Sequence, residues 1–281
     1  GALVDQFGCD GKGSASAMIL RPITEHVKAQ NWFAVGLDFV IVVIGVGVAM
    51  FGQQWLSDRQ QRAEMAAAEA AIQTDLFSNY RNAKERLAVA DCRAETYQAI
   101  AARLLAAGEN WTGIARAPEE DSFRSALPVV FRSPSRPWGS RVWEAELGRG
   151  TFSQMTDERR GALGAIFSQA DRAQLLQVDI FALQGRLKIL AVDTTISQSD
   201  RLRYYDMLAE MDDKSGHLEL RASQIIQSIE KIGVEIPEKN GPGISEVLAS
   251  NIERAKKIYG ECYQPQAFPI LDAYLEKAKT P

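Results

Sequence analysis

Nineteen consecutive residues, Phe33 to Phe51, carry one charge between them, the carboxylate of Asp38. No other feature restricts the folding of this chain as much. A helix that is apolar on every face needs either a core all around it or a solvent other than water. A bilayer core of about 30 Å takes about 20 apolar residues as helix. Trp32 and Trp55 bracket the run. At about 1.5 Å per residue they stand roughly 35 Å apart, which suits the two interfacial belts of a membrane. Residues 32–55 therefore read as a transmembrane helix rather than the core helix of a soluble domain.

A cleavable export signal is the main rival. Its apolar region spans about 7–15 residues and ends in a small-residue cleavage site. Here the run is longer, and only Gly47-Val48-Ala49 loosely resembles such a site. Strong helix formers follow, with no extended segment for a peptidase to grip. The reading taken is an uncleaved signal anchor.

Asp38 lies six residues past Trp32, about 9 Å along a helix axis. A carboxylate in a bilayer costs about 2.5–3.5 kcal/mol near the centre and less near an edge. Either it snorkels to the nearby surface, or it bonds to a partner helix across the small-residue face Gly45-x-x-x-Ala49. That partner would be a second copy of the chain or another integral membrane protein.

The flanks carry less information. Residues 1–17, "GALVDQFGCDGKGSASA", are rich in glycine and serine without hydrophobic periodicity, and read as a disordered tag or upstream extension. "QFGCD" lacks the apolar stretch that would precede a lipid-bearing Cys9. Residues 18–31 form a short cytoplasmic lead. Arg21 and Lys28 before the span balance Arg59 and Arg62 after it, so the positive-inside rule hardly discriminates. The orientation taken keeps the short lead inside and exports the large remainder to the periplasm.

Beyond the span the pattern is helical. Gln53 to Ala107 contains no glycine or proline and is dominated by alanine, glutamate, arginine and leucine. Met65, Ala68, Ile72, Leu76, Asn79, Ala83, Leu87, Ala90, Ala94, Tyr97, Ala101 and Leu104 follow in steps of three and four. Such a seam belongs to a coiled coil or a long bundle helix, Asn79 being its polar member. Residues 56–107 are expected as one long helix continuing the anchor as a stalk; two helices with a bend are the alternative.

Residues 108–140 change character. Pro118, Pro128, Pro134 and Pro137, with Gly108, Gly113 and Gly139, make a loop-rich linker. Its end, "FRSPSRPWGSRVW", sets Arg132, Arg136 and Arg141 among Trp138 and Trp143. Arginine with tryptophan suits an anion or partner patch. The competing reading is a loop folded over helices, tryptophans buried and arginines solvated.

Residues 141–281 read as a helical bundle packing on the long helix. One helix covers "SRVWEAEL"; a second starts at Thr156-Asp157, a capping pair, and runs toward Val192. A third is expected from about Arg201 to Ile232, capped by Ser199 or Asp200, with Ser215-Gly216 as its weak point. "PEKNGPG" is a loop, Ser245 caps a helix to Tyr259, and "ILDAYLEKAK" forms a last short helix. No segment sustains strand alternation. The fold expected is all-α: a transmembrane helix, a long stalk helix, then an antiparallel helical bundle.

Composition excludes several activities. A net charge of −4 gives no basic face for nucleic acid. Two histidines and three cysteines leave little for a metal site. No H-E-x-x-H, G-x-S-x-G, P-loop or C-x-x-C pattern occurs. Glu119-Glu120-Asp121 and Asp212-Asp213 read as solvated surface. No catalytic residue and no cofactor are expected.

The span resembles that of a class of uncharacterised bacterial single-pass membrane proteins. Their pattern is an acidic residue, an apolar run with V-V-x-G, then glutamine and tryptophan, matched here by Asp38, Val42, Val43, Gly45, Gln53, Gln54 and Trp55. "RVWEAELGRGTFSQMTDERRGALGAIFSQAD" is similar to a later segment of the class. The resemblance implies a bacterial inner-membrane protein and no activity.

In a periplasmic domain Cys92 and Cys262 are free to oxidise, and a bridge between them would restrict the unfolded chain strongly. Two unrelated buried thiols would fit either compartment. Two functions follow from the whole. One is a membrane-tethered structural or interaction protein, an accessory subunit of a membrane assembly. The other is a periplasmic small-ligand sensor with a pocket between helices.

Overall fold

The computed structural model describes residues 32–106, 108–114, 131, 134–233 and 241–264. The two segments before the span (1–17 and 18–31), Arg132, most of the linker and the expected terminal helix lie outside the described residues. What is described is almost wholly helical. The chain divides into two compact units, Gly1–Arg62 and Ala63–Pro281.

Helix α1, Trp32–Leu87, crosses that division as one element. Its amino-terminal part holds one stretch long and apolar enough to cross a membrane. Every large apolar side chain from Val35 to Leu56 is at least 40% exposed. Trp55, at the end of the stretch, carries the Arg59 guanidinium 5.7 Å from its ring centre.

In the second unit the alanine-leucine seam turns inward. Ala68, Ile72, Leu76, Asn79, Ala83, Tyr97 and Leu104 are buried, and Met65, Leu87 and Ala101 pack against them. The seam is thus covered by this chain's own helices, not left open for a coiled-coil partner. The single long helix does not hold either. α1 stops at Leu87 and α2, Ala90–Leu105, begins after a two-residue turn. Val89 has φ −121° and ψ 4°, and its N–H reaches Arg86 C=O rather than the carbonyl four residues back. The turn frees Ala88 C=O, which accepts from Gln264 N–H at 2.8 Å. Ala88 and Val89 are buried under Tyr263. Packing, not glycine or proline, makes this bend.

After α2 the strands β1, Asn110–Trp111, and β2, Thr194–Thr195, form one antiparallel pair. Gly113 is required beside them, because a Cβ there would meet Ala191 C=O at 2.7 Å. Trp111 Nε1 donates to Leu190 C=O at 2.9 Å. Buried Arg201 ties the corner together, donating to Arg103 C=O at 3.2 Å and Asn110 C=O at 3.1 Å.

Helix α3, Arg141–Arg149, ends at Gly150, whose left-handed backbone (φ 75°) returns its N–H to Glu146 and Leu147. Trp143 of α3 stacks on Phe152 and Phe167, with ring centres 5.2 and 5.5 Å away. Helix α4, Asp157–Arg186, starts at Thr156, whose hydroxyl accepts from Arg159 N–H. Helix α5, Gln198–Ile232, is continuous through Ser215-Gly216. Its cap is Ser197 rather than Ser199 or Asp200: the Ser197 hydroxyl accepts from Asp200 N–H at 3.1 Å. Adjacent Ser197, Ser199 and Asp200 can each cap a helix, and the one that reaches the first-turn N–H groups sets the boundary. α4 and α5 pack along one another, and α2 packs on α5. Helix α6, Gly241–Tyr259, starts four residues before the serine expected to cap it.

Candidate functional site

In the apolar stretch Asp38, Gly45 and Ala49 are solvent-exposed on α1. Steps of seven and eleven residues bring Gly45 and Ala49 within about 20° of Asp38 around the helix axis. A Cβ added at Gly45 would meet nothing within 4 Å. The stretch therefore presents an open face of one carboxylate and two small residues.

The arginine–tryptophan sequence does not form one surface. Trp138 and Trp143 are only 7% and 6% exposed, so neither ring is available to stack on a partner. Trp138 Nε1 donates to Gln177 Oε1 at 3.3 Å, and its backbone N–H to Gln174 Oε1 at 3.0 Å. Arg141 is exposed at the start of α3. The apolar neighbours on α3 and α4 account for the difference, since two indoles bury more free energy than they would yield as a surface patch.

Arg136 remains as the positioned charge of this segment. Asn79 holds the loop by a reciprocal pair with Gly139, donating to its C=O at 2.7 Å and accepting from its N–H at 2.8 Å. Asn82 Nδ2 donates to Pro137 C=O at 2.8 Å, and Gln177 Nε2 to Arg136 C=O at 3.1 Å. The polar member of the α1 seam is therefore a backbone clamp. So fixed, Arg136 Nε donates to Glu85 Oε2 at 2.7 Å and its Nη2 to Asn251 Oδ1 at 3.0 Å. Arg81 Nε lies 3.9 Å from the other Glu85 oxygen. Between this loop and α6 opens a cleft of about 250 Å³.

A second charged cluster sits where α1 and α2 meet α5. Arg93 makes a bidentate pair with Glu219, Nε to Oε1 at 2.9 Å and Nη2 to Oε2 at 3.0 Å, and reaches Asp212 at 2.6 Å. Burial opposes the Arg93 charge, but the bonds to Glu219 and Asp212 raise its pKa on balance. Arg86 is 2% exposed and none of its three guanidinium nitrogens makes a hydrogen bond among the described residues. Among the described residues its ion pair is with Glu219, 3.9 Å away. Desolvation pulls the Arg86 pKa below the usual range, against the pull of Glu219. Burial likewise raises the nearby Tyr97 phenol. The sequence offered no signal for this cluster: Arg86, Arg93 and Glu219 stand in ordinary helix-forming stretches, indistinguishable there from solvated residues.

Cys92 and Cys262 come together as a disulfide, Cα atoms 5.2 Å apart and 170 residues apart in the chain, well inside bridging distance. No group of three metal-binding side chains occurs among the described residues. The clusters offer hydrogen-bond donors and charge, with no assembled nucleophile and base. No protein-family profile, curated protein or solved structure matches this chain.

Proposed function

We propose that this chain is a single-pass, membrane-anchored helical protein of the structural or interaction type, an accessory subunit of a bacterial inner-membrane assembly. The observation that carries the reading is the exposure of every large apolar side chain from Val35 to Leu56. A surface of that kind needs hydrocarbon around it. In this reading the folded part is periplasmic, in keeping with the Cys92–Cys262 bridge. The pairings of Lys214 with Asp179 and of Arg221 with Gln169 support α4 and α5 as an antiparallel pair of a small bundle. The partners are the lipid bilayer and, through Asp38, Gly45 and Ala49, a second copy or another integral membrane protein. The resemblance to bacterial single-pass proteins agrees with this address.

The reading is tested by separating membranes at alkaline pH and measuring mass in mild detergent. The protein is expected in the membrane pellet, with Cys92 and Cys262 resistant to alkylation until reduced. It is expected as an oligomer or with a stoichiometric membrane partner, and Asp38→Leu is expected to shift that assembly toward monomer. Release at alkaline pH sinks the anchor, and unchanged assembly in Asp38→Leu removes the helix-contact role. A second reading, a small-ligand sensor, draws on the cleft beside Arg136.

A further inference from the structure

The cleft between the 134–136 loop and α6 has a charge pattern that the anchor reading does not use. Its lining includes Pro134, Ser135, Arg136, Arg254, Ile258 and Tyr263. Glu85 also reaches the cleft, but Arg136 at 2.7 Å and Arg81 at 3.9 Å already answer its charge. Arg254 forms no ion pair with any described residue. Among the described residues one positive charge of the cleft is therefore in excess. Tyr263 is buried at the cleft wall and its hydroxyl has no hydrogen-bond partner among the described residues. Burial first, then the Glu85 carboxylate, hold its phenol protonated, so it faces the cleft as a donor. Ser135 adds another hydroxyl. Pro134, Ala255 and Ile258 add apolar surface to the lining.

We propose that this cleft binds a small organic anion, a carboxylate with a short hydrocarbon body, its charge on Arg254 and its body against Ile258 and Pro134. Guanidinium forks match a carboxylate in charge and geometry. The volume of about 250 Å³ falls below the roughly 300–1,000 Å³ of drug-sized sites, which sets the ligand's size. Inorganic phosphate would satisfy the Arg254 guanidinium but leave the apolar surface uncovered. The two sides of the cleft are well fixed. Asn79, Asn82 and Gln177 hold the loop, and the Cys92–Cys262 bridge holds the end of α6 next to Tyr263.

The test uses the full chain in lipid nanodiscs and ligand-detected saturation-transfer NMR. Butyrate is the probe, butyramide its neutral match, and inorganic phosphate the bare anion, read by its displacement of the butyrate signal. Saturable binding of butyrate is expected, with butyramide and phosphate each weaker by about tenfold or more, the scale of one charge-assisted bond or a short buried alkyl chain. Arg254→Ala should weaken butyrate by a similar factor, and Arg254→Lys should restore part of it. Because Arg254 is exposed, the thermal midpoint should not move. Absence of saturable binding overturns the proposal, as does equal binding of butyramide, equal binding of phosphate, or wild-type affinity in Arg254→Ala. None of these outcomes bears on whether Val35 to Leu56 spans a membrane.

Discussion

Helix α1 holds two regions of opposite construction within one run of hydrogen bonds. From Val35 to Leu56 its large apolar side chains all face outward. From Ala68 to Arg86 it buries apolar and polar groups alike, among them Asn79, Asn82, Lys84 and Arg86. Backbone conformation is the same in both. What differs is where the side chains find their free energy. The first region is long and apolar enough to cross a membrane and has few polar groups to satisfy. The second excludes water with its own chain, and so must provide a partner for each polar group it buries. Among the described residues that provision falls furthest short at Arg86, all three of whose guanidinium nitrogens lack a hydrogen bond.

The strongest test of this contrast lies in the second region. Glu219→Gln removes the charge that faces both Arg93 and Arg86, leaving buried Arg86 without an ion pair among the described residues and Arg93 with Asp212 alone. Such a loss is expected to cost about 3–5 kcal/mol, read by denaturant unfolding of the detergent-solubilised protein. Arg86→Met should be neutral or stabilising in the same assay, since it removes the unbonded charge and keeps the volume. Should Arg86→Met cost as much as Glu219→Gln, the picture of an under-bonded arginine fails.

The next effect belongs to the first region. Val43→Arg places a charge near the middle of the apolar stretch, costing about 2.5–3.5 kcal/mol of insertion free energy. Loss from the membrane fraction is expected; unchanged insertion would mean that the stretch does not sit in hydrocarbon. A smaller effect sharpens the boundary of the folded unit. Thr156→Ala removes the hydroxyl that accepts from Arg159 N–H, and should lower stability by about 1 kcal/mol without altering membrane association.

Much of this was legible in the sequence. The apolar stretch, the all-α class, the buried seam and the Thr156 cap rest on local periodicity and capping chemistry. The bend at Ala88-Val89 was not legible as a site, because both residues tolerate helix and only the distant Tyr263 and Gln264 select the turn. The arginine–tryptophan segment admits two readings from sequence, and the burial of its indoles depends on Gln174, Gln177, Phe152 and Phe167, residues no spacing rule connects to it. Pairings across 126 or 133 residues, such as Arg93 and Arg86 with Glu219, leave no periodic trace. The cleft belongs to the same category: it is assembled from three separate segments of chain.

The bridge between Cys92 and Cys262 has a consequence for how the protein is made. At about 5–20 residues per second, the 170 residues between them take roughly 10–30 s to synthesise. During that interval Cys92 has emerged from the ribosome and its partner does not yet exist. Under the periplasmic placement proposed above, an early thiol is open to capture by another chain. The order in which the cysteines appear thus sets a demand on the cell, a thiol–disulfide exchange step late enough to select the correct pair.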